Sequence, residues 1–585
     1  MKKIICNPLN MHSPTKIDTS KNQPGFGFGA SVPVPHRGFG DPAVVRFKGR
    51  YYVFGSMHGF WWSDDLYTWY PGPQEDIGVM PGAAGDGCAI GEYLYHSASS
   101  RGRSWITRSK DPMNEKFEFF AEPGFDFWDP NLFQDDDGRV YLYWGCHNVD
   151  PIWGIELDPE TLMPIGERKV LIEMNYMAHG WERNGWDNDM NVGYLRVGET
   201  DAPGLDYPAP WIEGPWMTKH DGKYYLQYAS PATELQVYSD GYYVADNPLG
   251  PFTYAETSPF STVRGGFYQG AGHGSTFKDT YGNYWHASSM IGAAPFSNRQ
   301  MGLFPVGFDA DGIMYCDQRF ADYPHYLPEE SADPNGTFTG WMLLSYQKPV
   351  TASSTIKGHS TENLVDEDSR SYWVASRRRE GEWVMVDLET VDDVRAVQLN
   401  FCDHDRAELL GIPFGHFSMV PEEERFIRHR WLLEGSADGE NWEILCDKRD
   451  AETNLNHDFV VFEEGKRIRY LRVTSTEMPY YGSFAMTGLR VFGLRDGVAP
   501  AAPTGVKIDR QDDDCVANLS WDAVDGAVGY NVLWGVAPDK LYHATLVYGK
   551  NELIMRYLNS GVSYYIRVDA FNGSGVTEGT VQAAQ

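Results

Sequence analysis

The sequence predicts an all-β protein: a five-bladed β-propeller of repeated four-stranded units, followed by two β-sandwiches. Three observations predict it. Aromatic residues make up 14% of the 585-residue chain, beside 61 glycines and 35 prolines, a mixture that suits strands and tight turns. Segments with a helical period are rare, whereas short aromatic and β-branched runs are common. One local pattern, a turn ending in glycine and then such a run, recurs through the first half of the chain.

The pattern appears as FKGRYYVFGS around Gly49, IGEYLYHSAS around Gly91, DDGRVYLYWG around Gly138, DGKYYLQYAS around Gly222 and YGNYWHASSM around Gly282. A glycine turn followed by alternating apolar residues is a hairpin signal. The five turns are 42, 47, 84 and 60 residues apart. Repeats of about 40–50 residues with several strands each are the mark of propeller blades, and the longer steps then carry insertions. The longest step holds MAHGWERNGWDNDMNVGYLRVGETDAPGLDYPAP, expected as a long loop on one face of the disc.

ESADPNGT (330–337) is a polar break, so the propeller is expected to occupy 1–335. The runs WVMVDL, RAVQLNF, WLLEGS and RYLRVTS then predict a sandwich over 340–496. GVAPAAPTG (497–505) reads as a linker. The last part, 501–585, carries ANLSW, GYNVLWG and SYYIRVDAFN and has the size of one Ig-like module.

Charge narrows the partners. The chain has 49 Lys and Arg against 81 Asp and Glu, a net −32, which argues against nucleic acid and against an anionic membrane surface. The start, MKKIICNPLNMHSPTK, is basic, but its apolar run stops after Ile4-Ile5-Cys6, too short for a secretory signal. There is no apolar stretch of about 18 residues to span a membrane. Seven scattered cysteines without a CxxC point to a reducing compartment, and the expectation is a cytoplasmic protein.

Two motifs are set aside. GAGHGST (270–276) lacks the strand-to-helix context and the lysine of a phosphate loop. Asp135-Asp136-Asp137-Gly138 lacks the ligand spacing of a calcium loop and reads as a hairpin turn.

Three acids stand out by their neighbours: Asp41 in GFGDPAVV, Asp129 in FDFWDPNLF and Glu213 in PWIEGPWM, each just before a hairpin. The innermost strands of a propeller are equivalent by rotation, so the three carboxylates should project into one end of the central channel. Flanking Phe127, Trp128, Trp211 and Trp216 predict partial desolvation, which raises a carboxyl pKa. A protonated glutamic acid facing an ionised aspartate is what glycoside hydrolysis needs. The aspartates also suit Asp-Pro turns and caps, so composition alone leaves both roles open.

Segments 38–56, 124–145, 210–229 and 268–290 resemble the five-bladed propeller glycosidases, most closely family 43 glycoside hydrolases, over about residues 25–325. The resemblance implies an inverting mechanism. Asp41 matches the general base, Glu213 the general acid, and Asp129 the third carboxylate that orients the acid and tunes it. Trp128 flanks that third acid and is expected against the sugar. His273 in GHGS matches the central histidine, often beside a channel metal ion such as calcium, and Arg299 matches an arginine that lines the pocket. One departure falls in the second blade: where many members carry Trp-Ala-Pro-Asp, this chain reads PGAAGDG (81–87), keeping only Asp86.

Residues 345–495 resemble the discoidin, or F5/8 type C, sandwich used as a carbohydrate-binding module, through ENLVDEDSRSYWVAS, GEWVMVDLE, WLLEGSADGENWEIL and RYLRVTS. The resemblance implies sugar contact by Tyr480 and Tyr481 and a calcium loop at Asp366 and Asp368, although Gly488 replaces the late glutamate. Residues 501–585 resemble fibronectin type III, which implies a spacer. Together these imply an exo-acting glycoside hydrolase with an oligosaccharide substrate, α-L-arabinofuranosides and β-D-xylosides leading and galactosides or galactofuranosides second. A non-catalytic carbohydrate-binding protein is the alternative of a different class.

Overall fold

The computed structural model describes residues 2–13, 38–56, 59–73, 83–99, 103–190, 209–292, 299–404, 427–479 and 482–584. Five antiparallel sheets follow one another along the chain. Blade 1 comprises Ala43–Phe47, Arg50–Phe54, Trp61–Ser63 and Tyr70–Pro71; blade 2 comprises Ala83–Ile90, Tyr93–Ser99, Ile106–Ser109 and Glu118–Ala121. Blade 3 comprises Asn131–Gln134, Val140–Trp144, Ile152–Leu157 and Pro164–Ile172. Blade 4 comprises Ile212–His220, Lys223–Ser230, Ser239–Ala245 and Thr253–Tyr254; blade 5 comprises Gln269–Lys278, Tyr284–Ile291, Arg299–Phe308 and Met314–Cys316. The first strands of successive blades touch in a closed ring, the last meeting the first. This is the five-bladed propeller.

Each glycine-turn signal forms the hairpin between the first and second strands of a blade. Gly49, Gly91, Gly138, Gly222 and Gly282 all have left-handed backbones, φ 86, 59, 86, 76 and 90°. A Cβ there would meet nothing within 4 Å, so the demand for glycine is conformational and not one of space. The second strands are enclosed on both sides by neighbouring blades, which is why VYLYW (140–144) is buried at every position. Blades seal face to face through apolar clusters: Val44, Val53 and Trp61 of blade 1 pack with Trp285, Met301 and Leu303 of blade 5.

Every blade is built from consecutive strands, so the ring closes through side chains. Val44 N donates to Ser275 Oγ (2.9 Å), and Ser275 Oγ donates to Pro42 O (2.7 Å). Lys3–Cys6 pairs with Pro324–Leu327 beyond the last blade. Blade 4 alone has a fifth strand among the described residues: Cys146–His147 leaves blade 3 and pairs with the channel side of Ile212–His220.

The second part is an eight-stranded arrangement organised by two long strands, Trp383–Phe401 and His457–Glu477. The third has a three-stranded and a five-stranded sheet. Its residues Trp521, Trp534, Met555 and Tyr564 share one apolar cluster with Tyr143, Ile152, Trp181 and Tyr228 of the propeller. Polar contacts fix that junction: Asn559 Nδ2 donates to Glu256 O and Ser258 O (3.0 and 2.7 Å), and Arg183 Nη2 donates to Asp513 Oδ1 (3.1 Å). The spacer expected from the sequence is thus a packed wall. Ala-Pro composition at 497–505 read as a linker, but the surfaces it joins are apolar and complementary. Buried Arg490 ties the second part in, donating to Asp322 O (2.5 Å) and to Glu367 Oε2 (2.8 Å).

Candidate active site

Asp41 and Asp129 each precede the first strand of a blade, and Glu213 is the second residue of its strand. All three are buried. Asp41 and Asp129 have left-handed backbones, φ 56 and 49°, as have Ala84 in blade 2, Gly214 in blade 4 and His273 in blade 5, at 49, 58 and 47°. The chain therefore kinks at the start of every blade, and in blades 2, 4 and 5 the kink accompanies a register shift in the first hairpin. Turn and site roles of the two aspartates coincide: the kink is what turns the carboxylate inward.

Arg299 Nη1 donates to Asp41 Oδ1 at 2.5 Å and to Thr233 Oγ1 at 2.8 Å. Gly40 makes room for it, since a Cβ there would lie 2.3 Å from Arg299 Cζ. His273 Nδ1 lies 3.4 Å from Asp41 Oδ1 and 3.7 Å from Asp129 Oδ2. Its backbone N–H donates to Asp240 Oδ1 (2.7 Å), and Gly214 lets the ring approach the chain beside Glu213, where a Cβ would lie 2.6 Å from it. Tyr238 OH donates to Glu213 Oε1 and Cys146 Sγ to Glu213 Oε2 (3.1 Å).

These contacts separate the protonation states. Burial pushes Asp41 up, but the charges of Arg299 and His273 and the Ser56 hydrogen bond outweigh it and hold Asp41 below the usual range. Burial and then Asp129 push Glu213 up to about 7. Burial raises Asp129 too, against the pull of His273. Burial would lower His273, yet the Asp41, Asp129 and Glu213 charges hold it above its ordinary value. Asp41 is thus held toward the carboxylate and Glu213 toward the neutral acid. A fixed carboxylate and a neutral carboxylic acid across one cleft are the pairing for general base and general acid.

Several partners were not singled out in the sequence: Ser56, Ser99, Cys146, Tyr238, Asp240. A signal for the serines existed. Seven or eight residues after the turn glycine the repeat ends in Ser56, Ser99, Ser230 and Ser289. Ser56 Oγ donates to Asp41 Oδ2 and accepts from Ala84 N (2.8 Å). Ser99 Oγ donates to Asp129 Oδ1 (2.9 Å), Ser289 Oγ accepts from Asp41 N (2.8 Å), and Ser230 Oγ donates to Trp211 O (2.7 Å).

The remaining sequence candidates are placed as follows. Trp128 is exposed beside Asp129. Tyr480 and Tyr481 lie outside the described residues. Asp86 accepts from Leu132 N (2.7 Å) and Asn131 Nδ2 (3.3 Å), pinning blade 2 to blade 3, and burial pushes it up to about 7. In the second part, Arg370 takes both oxygens of Asp368 (2.7 Å each), while Asp366 accepts Asp368 N (3.0 Å) and Ser371 Oγ (2.6 Å). Asp135 of the DDDG turn is engaged by Lys219 and Tyr224.

Fold and site together define a propeller with a three-carboxylate centre at one end of its channel. Residues 31–314 match the family model of glycosyl hydrolases family 43. Among curated proteins it is similar to a beta-xylosidase of Xylanibacter ruminicola, 36% identical over 135 residues, 22% of this chain and 39% of that one. A xylosidase/arabinosidase of Bacteroides ovatus is 29% identical over 143 residues, again 22% of this chain and 38% of the other. A beta-D-galactofuranosidase of Aspergillus niger is 25% identical over 207 residues, 35% of this chain and 47% of that one. The chain thus spans less than half the length of these relatives.

Proposed function

We propose that the chain is an exo-acting glycoside hydrolase that releases terminal arabinofuranosyl or xylosyl residues by single-step inversion. The observation that carries this is the convergence of three buried carboxylates: Asp41 paired with Arg299, Asp129 beside His273, and Glu213 held by Tyr238 and Cys146. Asp41, held ionised by Arg299, takes a proton from the attacking water. Glu213 gives its proton to the leaving oxygen. The proton count of the site is conserved through the step, so no charge builds up in a buried place. Asp129 keeps Glu213 protonated by like-charge repulsion. The xylosidase and xylosidase/arabinosidase relatives support the sugar class; the galactofuranosidase relative favours galactofuranosides as the second reading.

His273 enters as a cation between the two aspartates. Calcium prefers oxygen ligands, so a channel ion beside His273 would be held chiefly through oxygen atoms and not by the ring. The second part we read as a discoidin-type sandwich over 340–496 and the third as fibronectin type III over 501–585. Asp366 and Asp368 of the second part are the carboxylates that would hold calcium there.

A panel of aryl glycosides, with and without EDTA, tests the reading. Turnover of an arabinofuranoside or xyloside, indifferent to EDTA, is expected, with a first-formed anomer inverted by proton NMR. Retained configuration would overturn the mechanism, and a chain that cleaves no glycoside would overturn the function.

A further inference from the structure

The second strands of the blades end at the channel, and in blades 5, 1 and 2 that end reaches toward the opening of the next blade, while Ser230 of blade 4 holds Trp211 O of its own blade. From blade 5, Ser289 Oγ accepts Asp41 N of blade 1. From blade 1, Ser56 Oγ accepts Ala84 N of blade 2. From blade 2, Ser99 Oγ donates to Asp129, which opens blade 3. Blade 3 breaks the series: Gly145 stands where blades 1 and 5 carry serine, and Cys146 where blades 2 and 4 do. A Cβ at Gly145 would lie 2.7 Å from Ile152 Cδ1, and its N–H donates to Trp128 O (2.9 Å). The chain bends there and runs on as Cys146–His147, with Cys146 directly opposite Glu213.

We propose that Cys146 is a positioning residue for Glu213, the blade 3 counterpart of the serines that hold the other carboxylates. This rests on the reading of Glu213 as general acid. Tyr238 OH occupies Oε1, so the transferable proton belongs on Oε2, the oxygen that Cys146 Sγ faces at 3.1 Å. A thiol is a weak acceptor, so it leaves the O–H of the neutral acid free for the leaving oxygen. The thiol already donates to Oε2, and this hydrogen bond gains charge assistance as Glu213 becomes a carboxylate. The contact therefore strengthens as the proton departs, which is when it lowers the barrier. Asp129, Asp41, His273 and Arg299 also face this acid and set its charge; Cys146, which hydrogen-bonds Asp129 as well as Glu213, fixes its direction.

The test uses the full chain with Cys146→Ala, Cys146→Ser and Glu213→Gln. The best aryl substrate of the panel is compared with an alkyl glycoside of the same sugar. Cys146→Ala is expected to lose roughly three- to tenfold in kcat on the alkyl glycoside and less than about twofold on the nitrophenyl one, with KM unchanged. Cys146→Ser, which restores a donor, is expected to recover the alkyl rate to within about twofold. If the alanine chain does not fold, Cys146→Val supplies the same comparison without a donor. A loss equal on both substrates, no loss at all, or a serine chain as slow as alanine would overturn the inference. Glu213→Gln separates the two levels. If it still cleaves the alkyl glycoside at the native rate, the acid assignment falls; if it fails there while Cys146→Ala matches the native chain, only the role of Cys146 falls.

Discussion

Single residues set the chemistry through their charges. Asp129 touches Ser99 and faces His273, and it opposes loss of the Glu213 proton from within a buried site. Asp129→Asn keeps the shape and removes that charge. Because a neighbouring anion raises a carboxyl pKa, its removal lowers that of Glu213, and the alkaline limb of kcat/KM against pH moves to lower pH. Each unit of movement corresponds to about 1.4 kcal/mol of lost repulsion. Asp41, held down by Arg299 and His273, sets the acid limb, which stays near its native position or falls slightly. An alkaline limb that does not move would leave Asp129 with a turn-forming role alone.

Among the elements, the insertion between blades 3 and 4 has the greatest consequence. Its short 3₁₀ turn, Gly180–Glu182, is wedged between blade 4 and the third part. Gly180 N donates to Leu558 O (2.9 Å), and a Cβ on Gly180 would lie 2.6 Å from that oxygen and 2.7 Å from Arg556 O. Trp181 fills the space over Gly241, and fully buried Glu182 accepts from Tyr228 OH (2.5 Å) and Asn175 N (2.7 Å). Gly180→Ala must push the turn off two backbone carbonyls, neither of which can rotate away. A loss of about 1–3 kcal/mol is expected, measured by denaturant unfolding of the full chain. A change below about 0.5 kcal/mol would mean that the insertion is not clamped as described.

At the scale of the whole molecule, the three parts share cores. Blades 3 and 4 and the third part contribute to one apolar cluster, and Phe320 and Tyr323 beyond blade 5 join Phe492 of the second part and Phe571 of the third in another. Separate domains joined by linkers unfold separately, whereas parts with a common core unfold together. Calorimetry of the full chain is expected to show one cooperative transition. Three resolved transitions would restore the picture of tethered modules. A fragment ended at Asn335 is likewise expected to aggregate, because it exposes Trp181, Phe320 and Tyr323.

The sequence alone determined the propeller, because its evidence is local: a glycine turn and an alternating run specify a hairpin wherever they occur, and five of them specify five blades. It also drew attention to Asp41, Asp129 and Glu213, which the structure brings together, though composition alone left turn and site roles open for the aspartates. Only the tertiary structure decided which partners hold those acids. Ser99 meets Asp129 from 30 residues away, Cys146 meets Glu213 from 67, and Arg299 meets Asp41 from 258. Such contacts depend on how the ring closes, which no local pattern encodes. The same holds for the third part, where Ala-Pro composition suggested a tether and complementary apolar surfaces, invisible in the order of residues, made it a wall packed on the propeller.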